Sequence, residues 1–487
     1  MIKARNFGYI LLGIGIFLTA FAIISDSVGI GKKGIQAAQL LLIQVGVLFI
    51  FLSIGFINLK EMEINFYNPI QRTGAWIFNL PTFAWILIGF FITYIILFVF
   101  PVFLNSDRSI SYLTRYLPEI RPVGRDLGFN TSSIKNWLSG NGLYDFENHY
   151  YPPLYAIVFS PFLLLEYPTT FYVMTAITLA SIVVTNLVVP TFTVLSSRRE
   201  VIMFFFITVI FSYGMQFELE RGQFNVFAFM LSLVAIYIFH RHHSFRFLAY
   251  LLISVSIQIK LYPIVYVLLL VKDWRNWKEN ILRFIGLGVF NFSLLFILGY
   301  PVFFDFLEAI PNLMGAFWIR PYNHSLVSFV NEFATTGFGI FQDSTISMVS
   351  TNAALIKTLL TISYFICVLT IVVRAYKNND NDLNLDLLLV CTIGALILPS
   401  VSIDYKLPIL APSMALTLSY PTRNNIGTYK KLAISVILIV MAIAYSFTLF
   451  SFVHRPVLFA NSFPLFMIIL VSVTLLNILE DRKYSKT

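Results

Sequence analysis

Four short clusters of ionisable and polar side chains interrupt a chain that is otherwise apolar. Asp126 lies in "VGRDLGFNTSSIKNWLSGNGLYD" (123–145). Glu218, Glu220, Arg221, Gln223 and Asn225 fall in "ELERGQFN" (218–225). Lys260 falls in "IKLYP" (259–263), and Asp404, Tyr405 and Lys406 fall in "VSIDYK" (401–406). A charge near hydrocarbon is costly, so such groups mark function by default. The residue types are complementary: a carboxylate can take a proton from a hydroxyl, and Lys or Arg can hold a phosphate. Each group also has a bland reading, as a helix cap or as a side chain snorkelling to the interface. Asp126 precedes a helix-like run, where a carboxylate can serve as an N-cap.

The elements that must position these groups are membrane helices. The chain has 487 residues, of which 58% are hydrophobic and 12% charged, and its mean hydropathy is +0.80. Soluble domains carry about 25% charged residues. The apolar runs are continuous rather than alternating, which excludes a β-barrel and gives an all-α polytopic membrane protein. The net charge of +9 reflects Lys and Arg in cytoplasmic loops rather than nucleic-acid binding. Cys367 and Cys391 both sit in apolar segments and read as buried free thiols. The first apolar run follows Lys3 and Arg5 without a small-residue cleavage site and reads as a retained helix.

Candidate spans are 7–26, 38–57, 80–104, 168–195, 201–217, 223–239, 246–259, 262–271, 283–300, 352–374, 385–399, 406–420, 431–450 and 463–480. Several are too short for a full crossing. The segment "PPLYAIVFSPFLLLE" (152–166) decides the parity. As a juxtamembrane helix it leaves "SSRRE" (196–200), "HRHHSFR" (240–246) and "KDWRNWKENILR" (272–283) on the cytoplasmic side. The excess of Lys and Arg on that side favours this reading. Both termini then face the cytoplasm, and all four polar clusters face outward at the plasma membrane. The expected organisation is two accessory N-terminal helices (1–79), a membrane core (80–420) with outer loops 105–151 and 301–351, and C-terminal helices with a cytoplasmic tail (421–487).

An outer cavity ringed by one carboxylate, several cations and many aromatics suits a lipid-linked sugar. The lipid tail needs an apolar groove, the phosphate needs cations, and the sugar needs amides and rings. One carboxylate suffices as base, and a single displacement inverts the anomeric carbon without a second, nucleophilic carboxylate. The acidic run near Asp380, Asp382 and Asp386 reads as a solvated loop, and His240, His242 and His243 as interfacial. "NTS" at Asn130 and "NHS" at Asn323 match the weak glycosylation pattern. The chain has no P-loop, Rossmann fingerprint or HExxH motif. No metal site, cofactor or nucleic-acid partner is expected.

Asp126, then "GNGLY" (140–144), then "YYPPLYAIVFSPFLLL" (150–165) resembles the polyprenol-phosphate-mannose-dependent mannosyltransferases of glycosyltransferase family 87, in the GT-C superfamily. "RGQFNVFAFML" (221–231), "IQIKLYPIVYVLLLV" (257–271), "NHSLVSFV" (323–330) and "LPSVSIDYKLPILAP" (398–412) resemble further family segments in order. The resemblance implies a GT-C-like bundle of about 13–14 transmembrane helices, a polyprenyl-phosphate sugar donor and chemistry on the extracytoplasmic side, with Asp126 as the base. Tyr405 and Lys406 stand where the family often has a His pair, and His324 stands for the usual Gln.

The expected activity is inverting transfer of a hexose, with mannose favoured, to a lipid-linked or envelope glycan hydroxyl. Asp126 is the expected base, with Asp145 and Glu147 in reserve. Lys260, Arg221 and Lys406 are expected to hold the donor phosphate. Tyr144, Gln223, Asn225, Asn323, His324, Asp404 and Tyr405 are expected around sugar and acceptor. A transporter or flippase for a lipid-linked saccharide is the alternative; it predicts polar groups on both faces and an inverted repeat.

Overall fold

The computed structural model describes residues 4–24, 37–58, 124–145, 149–190, 202, 205, 206, 209, 210, 212–316, 323–339, 341–378, 382–418 and 462–479. The expected spans 80–104 and 431–450, part of 201–217, and Glu147 lie outside these residues. Among the described residues the structure is helical, with one isolated antiparallel bridge between Asn323 and Ile403.

The chain begins with a hairpin of α1 (Ala4–Ile24) and α2 (Ala37–Asn58). Small residues let the two backbones meet: a Cβ on Gly15 would stand 2.7 Å from the Gly46 carbonyl. Next comes α3 (Arg125–Leu138), then α4 (Leu154–Phe159), which tightens into a 3₁₀ turn at Ser160–Leu164. At 1.5–2 Å per residue these eleven positions reach about 19 Å, short of the ~30 Å hydrocarbon core. The segment is therefore a short broken helix, as the juxtamembrane reading requires. α2 packs on it, and Gln44 donates to the Ile157 carbonyl.

The central bundle follows: α5 (Tyr167–Val183, extended by a π turn to Val188), α6 (Tyr213–Arg221), α7 (Asn225–Arg241), α8 (Arg246–Ile259), a 3₁₀ stretch (Tyr262–Leu269) and α9 (Trp277–Leu294). After these come α10 (Tyr300–Ala316), α11 (Leu326–Thr336), α12 (Asp343–Thr351), α13 (Ala353–Asn378) and α14 (Leu385–Ile397). A 3₁₀ turn (Asp404–Ile409), α15 (Leu410–Leu418) and α16 (Phe463–Leu479) complete it. Every residue of α14 and α15 is buried, so these two form the middle of the bundle. α13 is the opposite case: Leu355, Leu359, Ile362, Ile366, Leu369 and Val373 form an exposed apolar stripe, the surface lipid would cover.

Among the described residues, three helices are long and apolar enough to cross a membrane: Arg5–Ile24, Tyr167–Val188 and Ala353–Asn378. Several shorter apolar helices stand beside them. The protein is thus an all-α polytopic membrane protein. One expectation is corrected: 301–351 is not an open loop, because α10, α11 and α12 occupy most of it. α10 carries Asp305 and Glu308 within its apolar sequence, and α12 carries Asp343, Ser344, Thr345, Ser347 and Ser350, so neither reads as a membrane span.

Candidate active site

Two glycines bring the first polar cluster against the second. Gly124 precedes α3 with φ 74° and Gly222 ends α6 with φ 62°, both left-handed conformations that favour glycine. The Gly124 N–H donates to the Glu220 carbonyl at 2.6 Å, docking the start of α3 onto the end of α6. A Cβ on Gly222 would stand 2.9 Å from Leu127 Cβ, so the approach needs glycine. The Gln223 N–H returns to the Glu218 carbonyl and closes the helix end.

This docking delivers Asp126 to Arg221 and Gln223. Arg221 Nη1 donates to Asp126 Oδ1 at 3.2 Å, and Gln223 Nε2 donates to Oδ2 at 2.6 Å. Asp126 is not an N-cap: Gly124 holds that place, with no side-chain cap bond, and Asp126 sits in the first turn. The chain of contacts continues, because Lys260 Nζ donates to Gln223 Oε1 and to the Tyr151 hydroxyl, each at 2.9 Å. Lys260 also lies 4.3 Å from the Phe224 ring centre and 4.5 Å from that of Tyr151. Among the described residues it has no carboxylate partner within 4 Å.

Lys406 is a second buried cation of this kind. Its Nζ donates to the Val401 carbonyl at 2.7 Å and lies 5.3 Å from the Tyr262 ring centre. It is close enough to Lys260 to feel its charge. Tyr405 is half-buried, packs on Phe217, and shares the electrostatic neighbourhood of Asp126, Tyr151 and Arg221. Tyr144 supports the cluster from outside, its hydroxyl donating to the Tyr151 carbonyl at 2.6 Å.

Two carboxyls of α6 differ in role. Glu218 is fully buried and accepts from Asn225 Nδ2 at 2.8 Å and from the Val226 N–H at 3.0 Å, capping α7. Glu220 lies beside Arg221 and Asp126. Burial raises its carboxyl to about 7, Arg221 opposing and Asp126 adding to the rise.

Asn225, Asn323, His324 and Asp404 sit in the interior. Asn225 is committed to Glu218, and its carbonyl accepts from the Tyr262 hydroxyl. Asn323 Oδ1 accepts from the Ser402 N–H at 2.8 Å and its Nδ2 donates to the Ser400 carbonyl, tying 323–325 to 400–402. His324 Nδ1 accepts from the Ser462 N–H at 2.9 Å, so Nε2 carries the proton and donates to Asp404 Oδ1 at 2.7 Å. The structure thus brings Asp126, Arg221, Gln223, Lys260, Tyr405 and Lys406 together. The His324–Asp404 pair forms a separate buried tie behind them.

Tyr151 and His149 are additions that sequence reasoning did not nominate. Tyr151 was in view as part of "YYPP", but nothing local announced its contact with Lys260. His149 is buried beside Tyr144, Tyr151 and Tyr155. Its Nδ1 meets Asn130 Oδ1 at 3.3 Å, and burial lowers the imidazole to about 3, so it stays neutral. Among the described residues, no cluster of three or more His, Cys, Asp or Glu could hold a metal ion.

The model of glycosyltransferase family 87 matches residues 149–399, 251 of the 487 residues. The matched stretch contains Tyr151, Arg221, Gln223 and Lys260; Asp126 precedes it, and Asp404, Tyr405 and Lys406 follow it. No curated protein and no solved structure matches the chain.

Proposed function

The chain belongs to glycosyltransferase family 87, and from that premise we propose that it transfers a hexose, with mannose the favoured sugar, from a polyprenyl phosphate to a hydroxyl on the extracytoplasmic side. The observation that carries this reading is the buried pair of cations, Lys260 and Lys406, beside a carboxylate held in place by Arg221 and Gln223. An unpaired buried charge costs several kcal/mol. Lys406, close enough to feel the charge of Lys260, makes with it a seat for an anion, and a phosphate leaving group supplies it.

In the proposed step the acceptor oxygen attacks the anomeric carbon as its proton passes to Asp126. The bond from that carbon to the phosphate oxygen breaks, and the phosphate leaves with the electron pair toward Lys260 and Lys406. One displacement inverts the carbon. Arg221 holds Asp126 in the free protein. Moving part of its hydrogen bonding to the arriving phosphate would strengthen Asp126 as a base when the donor is bound. Gln223 links the two halves, orienting the base through its amide N–H and the cation through its amide oxygen.

The test is purified full-length protein with labelled polyprenyl-phosphate-mannose and a membrane lipid extract. Label appearing in a new lipid or glycan product supports the reading. Translocation of the labelled donor across a vesicle bilayer without any product would overturn it.

A further inference from the structure

The N-terminal hairpin of α1 and α2 precedes the stretch that matches the family, and it contributes none of the site residues named above. Its second helix nevertheless grips both segments that lead to the contact between Tyr151 and Lys260.

The first grip follows from a proline. In a continuing helix the Ile157 carbonyl would accept from the N–H of residue 161, but that residue is Pro161 and has none. α4 accordingly stops at Phe159 and tightens into its 3₁₀ turn. A buried carbonyl without a donor is costly, and two side chains satisfy this one. Ser160 Oγ donates to it at 2.8 Å, and Gln44 Nε2 donates to it from α2. An amide in so apolar a helix is stabilised by just such a partner.

The second grip lies near the other end of α2. Gly55 leaves a notch for Phe245, whose ring occupies the place a Cβ would take. Phe56 meets the same ring edge-on, with centroids 5.1 Å apart. Phe245 directly precedes α8, which ends at Ile259, beside Lys260. Gln44 and Phe56 stand about 18 Å apart along α2, close to the roughly 21 Å length of α8.

Both grips lead to one place. Around Ile157, the rings of Phe159, Tyr155 and Tyr151 stack in sequence, with centroids 4.3 and 4.8 Å apart. All three pack on Phe224. The Tyr151 hydroxyl at the end of this column accepts from Lys260, which α8 delivers from the other side. We propose that the N-terminal hairpin is a brace that sets the contact between Tyr151 and Lys260, with Gln44 as a positioning residue for the anion seat. The phosphate at that seat rests on the reaction proposed above; the brace does not.

A double-mutant cycle on full-length protein tests the brace. Gln44→Leu leaves the Ile157 carbonyl with Ser160 alone, whereas Pro161→Ala returns an N–H at position 161. The readouts are thermal midpoint and binding of a fluorescent-tailed polyprenyl monophosphate in detergent. Alone, Gln44→Leu is expected to lower the midpoint and to weaken binding at least fivefold. In the Pro161→Ala background the same substitution is expected to change binding by less than twofold. If Gln44→Leu alone yields no folded protein, recovery of the folded double variant supports the brace, and failure of both variants overturns it. A lower midpoint with unchanged affinity would make the hairpin a stabilising addition only and overturn the positioning role. An undiminished loss in the Pro161→Ala background would overturn the part given to Gln44. Absence of binding by wild type would remove phosphate from Lys260 and leave the midpoints to decide: coupling between the two substitutions keeps the brace, and additivity removes it.

Discussion

The side-chain amide of Gln223 meets the carboxylate of Asp126 at 2.6 Å, across 97 residues of sequence. Its other end accepts from Lys260 at 2.9 Å, so one amide sets the positions of the candidate base and the nearest cation. Gln223→Leu removes both bonds while keeping most of the volume. A hydrogen bond to a charged group contributes about 1.5–3 kcal/mol, so kcat is expected to fall roughly tenfold to a hundredfold, and the thermal midpoint to fall with it. A kcat within twofold of wild type would show that the amide positions nothing the reaction uses.

Glu220 predicts a pH dependence. Its carboxyl titrates near 7 rather than at the ordinary 4.5. Below 7 it is neutral, and Arg221 serves Asp126 alone. As pH rises through 7 it ionises, competes for Arg221, and makes Asp126 a stronger base. Transfer is expected to rise through that range in wild type and to lose this limb in Glu220→Gln. Stability moves the other way: the folded state binds the extra proton between about 4.5 and 7, so this contribution is full below 4.5 and lost as pH passes 7. Paired kcat and thermal-melt profiles from pH 5 to 9 check both signs.

Gly222 predicts a packing defect with a built-in control. Alanine there meets both a left-handed φ of 62° and Leu127 Cβ at 2.9 Å. Gly140 has φ 92° but open space around it. Backbone strain alone costs about 1–3 kcal/mol, so both variants melt lower, and Gly222→Ala is expected to melt lower than Gly140→Ala. Equal midpoints would mean that α3 and α6 do not meet as closely as described.

The His324–Asp404 contact at 2.7 Å predicts a stability effect rather than a catalytic one. Leaving the buried His324 N–H unpaired costs about 1–3 kcal/mol, so Asp404→Ala is expected to melt below wild type. Asp404→Asn keeps an acceptor oxygen and is expected to be milder, with donor KM within twofold. A large rise in donor KM at an unchanged melting temperature would place Asp404 in contact with substrate instead.

The parts of the site that cost most in lipid were the most legible. Lys260, Arg221, Asp404 and Lys406 stood out because charges are rare in so apolar a chain, and the structure gathers Lys260, Arg221 and Lys406 near Asp126. The short reach of 152–166 was legible from charge parity. What the sequence could not supply was pairing. That Asn225 is bound to Glu218 rather than open to a cavity, and that Asn323 ties to Ser400 and Ser402, depends on contacts local reading does not see. Tyr151 gave no sign of its bond to Lys260, 109 residues away. The helices between 301 and 351 were hidden because the charges of α10 and the Ser and Thr of α12 break the apolar runs by which spans are read.

In the proposed reaction Asp126 takes the acceptor proton. The most direct measurement is transfer of labelled mannose from polyprenyl-phosphate-mannose by purified Asp126→Asn, alongside its thermal midpoint and donor binding. A loss of at least a thousandfold in kcat is expected, with fold and donor affinity retained. Transfer within tenfold of wild type would contradict it.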